Sequence, residues 1–190
     1  MFSLTQSGIV LASYLLGCIS VGYYLVRWQT GQDLRELGSG ATGGRNTGRV
    51  LGKSGAIITG IGDIFKGVVA MGLALWFRLE PWALALVMIA VLAGHVWPFQ
   101  LGFKGGKGLS AAFGAVLLFD YRIALFTALL ALILLFISRN EFLFLMGIAC
   151  SPIIAFALGH RWEIVTGMVV LVIIILYAHR ENIQKSLRSK

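Results

Sequence analysis

Long apolar stretches, separated by short gaps that hold most of the charge, run through the whole of this chain. A bilayer-crossing helix needs about 20 mostly apolar residues. Residues 6–26 make the first such run, 54–77 the second and 82–97 the third. Soluble domains carry about 45–50% apolar and about 25% charged residues; here 58% are hydrophobic and 13% charged. A domain of 190 residues has too much surface to hide that excess in a core. The chain therefore reads as one all-α integral membrane domain, residues 1–190.

Residues 109–119 form a fourth run that, at about 1.5 Å per residue, reaches only about half way across a bilayer. Runs at 123–137, 142–158 and 164–178 come after it, then a basic tail over 179–190. Seven transmembrane helices, the fourth short, place the N-terminus outside and the C-terminus in the cytoplasm. The inner segments then hold Arg27, Arg35, Arg45, Arg49, Lys53, Lys104, Lys107, Arg139, Arg180, Lys185, Arg188 and Lys190. The outer segments hold only Arg78, Arg122 and Arg161, a positive-inside bias. Six spans, with the short run re-entrant, move the later loops across and weaken the bias. The first run has no basic residue before it and is succeeded by further spans, so it reads as a span rather than a cleaved leader.

The net charge of +8 would point to nucleic acid in a soluble chain. Confined to gaps between spans, it points instead to membrane lipids and phosphorylated substrates. Cys18 and Cys150 both fall inside apolar runs and read as small buried hydrophobes, not as a disulfide or metal site. No metal and no cofactor is expected.

Two glycine-rich basic segments carry the candidate chemistry, and the topology puts both at the cytoplasmic face. The first, inside a polar stretch at 28–53, includes Gly38, Ser39, Gly40, Gly43, Arg45, Asn46 and Arg49. Glycine lets backbone approach a ligand closely, successive N–H groups can form an anion-binding nest, and arginines grip phosphate oxygens. The second runs from His95 through Pro98 to Lys104, Gly105, Gly106, Lys107 and Gly108, immediately before the short apolar run. A helix N-terminus offers free N–H groups and a positive dipole end, to which two ammonium groups are added. Asp63 and Lys66 share a helix face inside a span. They are either functional or a structural ion pair that orients the first loop. His179 and Asn182 lie where the last helix leaves the membrane.

Other chemistries are excluded. Gly52-Lys53-Ser54 imitates the end of a nucleotide P-loop, but its first glycine would be Thr47 and no strand precedes it. His95 is followed by Phe99 and Gln100, not by the aspartate that one common acyltransferase class needs four residues on. Neither a G-x-S-x-G elbow nor an H-E-x-x-H pair is present. A site rich in cations and poor in bases suits a reaction whose phosphate substrate is itself charged. A phosphate-compound transporter or lipid-binding regulator is the non-enzyme alternative, but no internal repeat is visible and the charges cluster on one face.

The chain resembles the bacterial membrane glycerol-3-phosphate acyltransferases that use acyl-phosphate donors, the PlsY type. The resemblance runs nearly end to end, through Tyr14–Ser20, Asp33 and Arg35, Gly38-Ser39-Gly40, Asn46 and Arg49, Asp63 with Lys66, Gly94-His95, Phe103–Gly108 and His179–Ile183. It implies seven spans and acyl transfer from acyl phosphate to the 1-hydroxyl of glycerol 3-phosphate. Catalytic roles are expected for Ser39, Arg45, Asn46, Lys104, His179 and Asn182. Substrate binding would fall to Gly38, Gly40, Gly43, Arg49, His95, Gly105, Gly106, Lys107, Gly108, Arg139 and Glu141. Lys104, Lys107 and the glycine amides between them would hold one phosphate, with the first segment and His179 around the other phosphate and the attacking hydroxyl. Ala41 stands where the family usually has Asn after Gly-Ser-Gly, and two further departures change charge. Gly44-Arg45 replaces the usual Ala-Thr, and Arg139-Asn140-Glu141-Phe142 stands where the family has Arg-x-x-Ser. Arg45 adds a cation and Glu141 an anion, so a different polar acceptor is the alternative on the same scaffold.

Overall fold

A computed structural model describes residues 3–188; Met1, Phe2, Ser189 and Lys190, the last two the end of the basic tail, lie outside the described residues. The fold is helical throughout: α1 Leu4–Cys18, α2 Val21–Thr30, α3 Gly44–Trp76, α4 Pro81–Val96, α5 Leu109–Phe119, α6 Tyr121–Ser138, α7 Glu141–Ala149, α8 Ser151–Ala157, α9 Trp162–Ala178 and α10 Arg180–Arg188. Every apolar run becomes helix. Leu4–Thr30, Gly44–Trp76, Pro81–Leu101 and Tyr121–Ser138 are long and apolar enough to cross a membrane. Leu109–Phe119, Glu141–Ala157 and Trp162–Ala178 are shorter apolar helices.

The first run is not one unbroken helix. Its chain leaves helical geometry at Ile19 and Ser20, which orphans the carbonyls at the end of α1. In an apolar surround each unpaired carbonyl costs several kcal/mol. Three are met by side chains from elsewhere. Lys66 Nζ donates to Gly17 O at 3.0 Å and Ile19 O at 2.8 Å, and Gln100 Nε2 donates to Cys18 O at 2.6 Å. The ammonium also lies 2.8 Å from Asp63 Oδ1 and 2.8 Å from His95 Nδ1. The three N–H bonds of Lys66 thus face two carbonyls, the Asp63 carboxylate and His95 Nδ1, which itself lies 3.4 Å from Asp63 Oδ1. Lys66 is therefore the clamp on a broken span.

The polar stretch at 28–53 is largely helical. α2 runs on to Thr30 and α3 begins at Gly44, leaving a loop over 31–43. Gly52 (φ 72°, ψ −166°) interrupts α3 with a backbone conformation open essentially to glycine alone. Residues 44–51 consequently fold back against the remainder of α3. A Cβ on Gly44 or Gly48 would lie 2.9 Å from Ala56, although a straight helix would hold those residues about 18 and 12 Å away. Tight helix crossings elsewhere also use glycine: a Cβ on Gly67 or Gly114 would lie 2.2 or 2.0 Å from a carbonyl across the α3–α5 contact. Buried Cys18, Met71, Val87, Met88, Val91, Ala115 and Met168 fill the interior, while exposed Leu11, Ile61, Phe65, Leu129, Phe136 and Ile173 face outward.

The helix ends sort into two sets. α5 and α6 meet at Asp120, where Asp120 Oδ2 accepts from Arg122 at 2.7 Å and lies 2.9 Å from His160 Nε2. At about 1.5 Å per residue α5 rises about 16 Å from that turn and α6 about 27 Å. The free end of α5 therefore stops roughly 10 Å short of the end of α6, leaving a recess.

Candidate active site

The loop over 31–43 is shaped by its own side chains. Asp33 pairs with Arg35 at 2.6 Å, and these hydrogen bonds hold the Asp33 carboxyl below its ordinary range. Arg35 Nη1 also donates to Leu101 O at 2.7 Å, tying this loop to the segment over 98–108. Asn46 is buried. Its Oδ1 accepts from Ser39 N at 2.9 Å, and its Nδ2 donates to Leu37 O at 2.9 Å and Leu34 O at 3.2 Å. Gly38 (φ 58°) passes so close that a Cβ would lie 2.3 Å from Asn46 Oδ1. With its amide bonded three ways, Asn46 organises the loop.

The second segment docks on the end of α4. Gly105 N donates to Val96 O at 3.1 Å and Gly106 N to His95 O at 3.0 Å. The expected cradle of these two amides is therefore not formed, because both N–H groups are spent on α4 carbonyls. Gly106 has to be glycine for another reason: a Cβ would lie 2.1 Å from His95 Nε2. Thr42 N donates to Gly105 O at 3.3 Å, so the two glycine-rich segments touch directly. Lys104 is exposed, whereas Lys107 lines a large cavity.

That cavity, about 1280 Å³, occupies the recess above α5. Gly38, Ser39, Gly43, Arg45, Asn46, Arg49, His95, Lys107, Gly108, Arg139, Glu141, His179 and Asn182 all line it. Gly40, Lys104, Gly105 and Gly106 do not. Sequence reasoning passed over Ser110, Ser138, Asn140, Phe144 and Ser186, which also line it. Asn140 carries a signal that could have found it: it caps α7, accepting from Phe142 N at 2.8 Å, and it accepts from Ser186 Oγ at 2.6 Å.

The cavity is cationic. Arg45, Arg49, Lys107 and Arg139 line it, against Asp63, which is committed to Lys66, and Glu141. The first turn of α3, whose N-cap Gly43 provides no side-chain cap, also opens into it. Glu141 Oε1 accepts from Arg45 Nη1 at 2.8 Å and from Asn182 Nδ2 at 2.8 Å, while Lys107 Nζ donates to Asn182 Oδ1. The two charged departures from the family pattern, Arg45 and Glu141, are thus bonded to each other. His179 Nδ1 lies 2.8 Å from Ile175 O, which can only accept, so this nitrogen carries the proton. Burial lowers the pKa of His179 and the neighbouring Lys107 and Arg45 cations lower it further, leaving a neutral ring at pH 7 whose Nε2 can accept.

A second cavity of about 70 Å³ lies between α5, α6, α8 and α9, walled by apolar side chains including Phe113, Val116, Met168 and Leu171. Leu109 lines both cavities, so polar and apolar spaces adjoin at the first residue of α5. Among the described residues no three His, Cys, Asp or Glu side chains gather as a metal-binding group.

Comparison with known proteins places the chain among relatives of one description. A family model described as glycerol-3-phosphate acyltransferase matches residues 7–189. Glycerol-3-phosphate acyltransferase 1 of Desulfitobacterium hafniense (strain Y51) is 44% identical over 179 residues, 94% of this chain and 89% of that protein. The glycerol-3-phosphate acyltransferase of Synechococcus sp. (strain CC9902) is 37% identical over 188 residues, 97% of this chain and 93% of that one. Among solved structures, the glycerol 3-phosphate form of PlsY (YgiH), an integral membrane glycerol 3-phosphate acyltransferase, superposes with a TM-score of 0.90 at 31% identity, covering 97% of this chain and 92% of that one. Its lysophosphatidic acid form gives 0.86 at 29% identity, with the same coverage of 97% and 92%.

Proposed function

This chain belongs to the glycerol-3-phosphate acyltransferase family, and we propose that it transfers an acyl group from acyl phosphate to the 1-hydroxyl of glycerol 3-phosphate. The products are lysophosphatidic acid and inorganic phosphate, the first acylation of phospholipid synthesis. One observation carries this reading: a cavity with four cations from three separate parts of the chain adjoins an apolar space at Leu109. Such a site suits substrates that are charged at one end and greasy at the other.

In the reaction the 1-hydroxyl oxygen forms a bond to the acyl carbonyl carbon, and the bond from that carbon to the phosphate oxygen breaks. Arg49, Lys107 and the uncapped first turn of α3 are suited to one phosphate, where a helix N-terminus and cations stabilise negative charge together. Arg45, Arg139 and Ser39 line the same cavity and are suited to the other phosphate. His179 Nε2 accepts from the hydroxyl and orients it. With Asp63 held by Lys66 and Glu141 bonded to Asn182, a substrate phosphate oxygen takes the hydroxyl proton. Phosphate is both leaving group and proton acceptor, so most of the rate comes from positioning and charge stabilisation.

The chain works as a single polytopic unit in the bacterial inner membrane. Seven spans, formed by α1–α2, α3, α4, α5, α6, α7–α8 and α9, put the N-terminus outside and the cavity at the cytoplasmic face. The activity is tested by phosphate release. Purified protein given acyl phosphate and glycerol 3-phosphate releases inorganic phosphate, and acyl-CoA does not substitute. Folded protein that shows no turnover with this pair, yet turns over another polyol phosphate, would replace glycerol 3-phosphate as the acceptor.

A further inference from the structure

The geometry points to Glu141 as a built-in competitor for the substrate phosphate: its carboxylate and that phosphate take the Arg45 guanidinium in turn. The inference rests on the reading of the cavity as the glycerol 3-phosphate site. Among the described residues lining the cavity, Glu141 is the anion not committed to a buried partner such as Lys66. It sits in the first turn of α7, which suits a negative charge, and bonds Arg45 and Asn182 through the same oxygen at 2.8 Å each.

Three features make the pair exchangeable. The Arg45 side chain is 73% exposed and that of Glu141 32%, so water screens their attraction and ion pairs of this kind hold weakly. A phosphate dianion outcompetes a carboxylate for a guanidinium, with more charge and more acceptor oxygens. Releasing Arg45 leaves Glu141 satisfied, because Asn182 and the start of α7 remain with it. Asn182 in turn accepts from Lys107, so the exchange is coupled to a second cation of the cavity. The carboxylate therefore weakens acceptor binding and holds Arg45 at the cavity between turnovers.

Glu141→Gln keeps the shape and the hydrogen-bonding oxygen while removing the charge. It is expected to lower KM for glycerol 3-phosphate about two- to fivefold, the worth of an exposed ion pair, with kcat within about twofold of wild type. Arg45→Gln is expected to raise KM, and adding Glu141→Gln to it is expected to change KM by less than half as much as in the wild-type background. A KM that rises in Glu141→Gln, or a kcat that collapses in folded protein, overturns the inference and makes Glu141 a residue that positions Arg45 or serves the chemistry. An equal fall in KM with and without Arg45 overturns the exchange as well. Should Glu141→Gln fail to fold, Glu141→Asn carries the same expectations. Wild-type protein that does not turn over glycerol 3-phosphate overturns the underlying reading, a result distinct from unchanged kinetics in an active enzyme.

Discussion

His179 donates from Nδ1 to a backbone carbonyl and presents Nε2 as an acceptor, an arrangement that holds only while the ring is neutral. Burial and nearby cations push its pKa below the ordinary 6.5, so protonation requires a pH under that value. The native state resists the proton while the unfolded chain accepts it, so stability falls as pH drops below about 6.5. Activity falls through the same window. His179→Gln, a neutral acceptor, is expected to flatten that acid limb in a pH series of phosphate release, whereas the titration of the substrate phosphate stays in both proteins. The two lysines of the second segment make a contrasting pair. Lys107→Ala is expected to lower kcat/KM about ten- to hundredfold, as for a lost charged hydrogen bond, and Lys104→Ala to stay within about threefold. Equal losses from both would show that Lys104 enters the cavity with substrate. At this scale the sequence was partly legible. Residue types named the chemistry, and Lys107, Arg45, His179 and Glu141 do converge. It could not show which polar groups the backbone had already claimed, as with Asn46 and the amides of Gly105 and Gly106.

The break between α1 and α2 depends on side chains far away in sequence. Lys66→Met would strand the carbonyls of Gly17 and Ile19 and leave Asp63 as an unpaired buried charge, at a cost of about 3–5 kcal/mol. Thermal unfolding in detergent is expected to show a lower Tm. The double variant Asp63→Asn/Lys66→Met is expected to recover part of the loss, since no charge is then orphaned. It cannot recover all of it, since the two carbonyls remain unpaired. A double variant as unstable as the single one would show that the carbonyls alone dominate. Apolar runs announced the helices of the proposed spans, because hydropathy reports burial in lipid directly. The break inside residues 6–26 was hidden by the same uniformity, and its available signal was Lys66, an ammonium that needs acceptors within a span. The helix start at Gly44 was obscured by its glycines, which lower helix propensity and make a folded-back arm resemble a loop.

Across the whole molecule, helix ends gather into a cationic pole around the cavity and an opposite pole at Asp120, His160 and Arg161. The proposed orientation can be read by cysteine labelling in a background lacking Cys18 and Cys150. Arg161→Cys is expected to react with a membrane-impermeant maleimide on intact cells, and Gln184→Cys only after permeabilisation; the reverse pattern would invert the topology. Charge asymmetry in the sequence pointed to this arrangement, but only the three-dimensional path showed that segments as distant as Gly38 and Ser186 border one cavity. The brevity of α5 has a consequence of its own. By stopping early it sets the cavity below the end of α6. Under the proposed reaction the acyl tail would then stay in hydrocarbon while only the small glycerol phosphate leaves bulk water. The product would depart by sliding sideways among its neighbours.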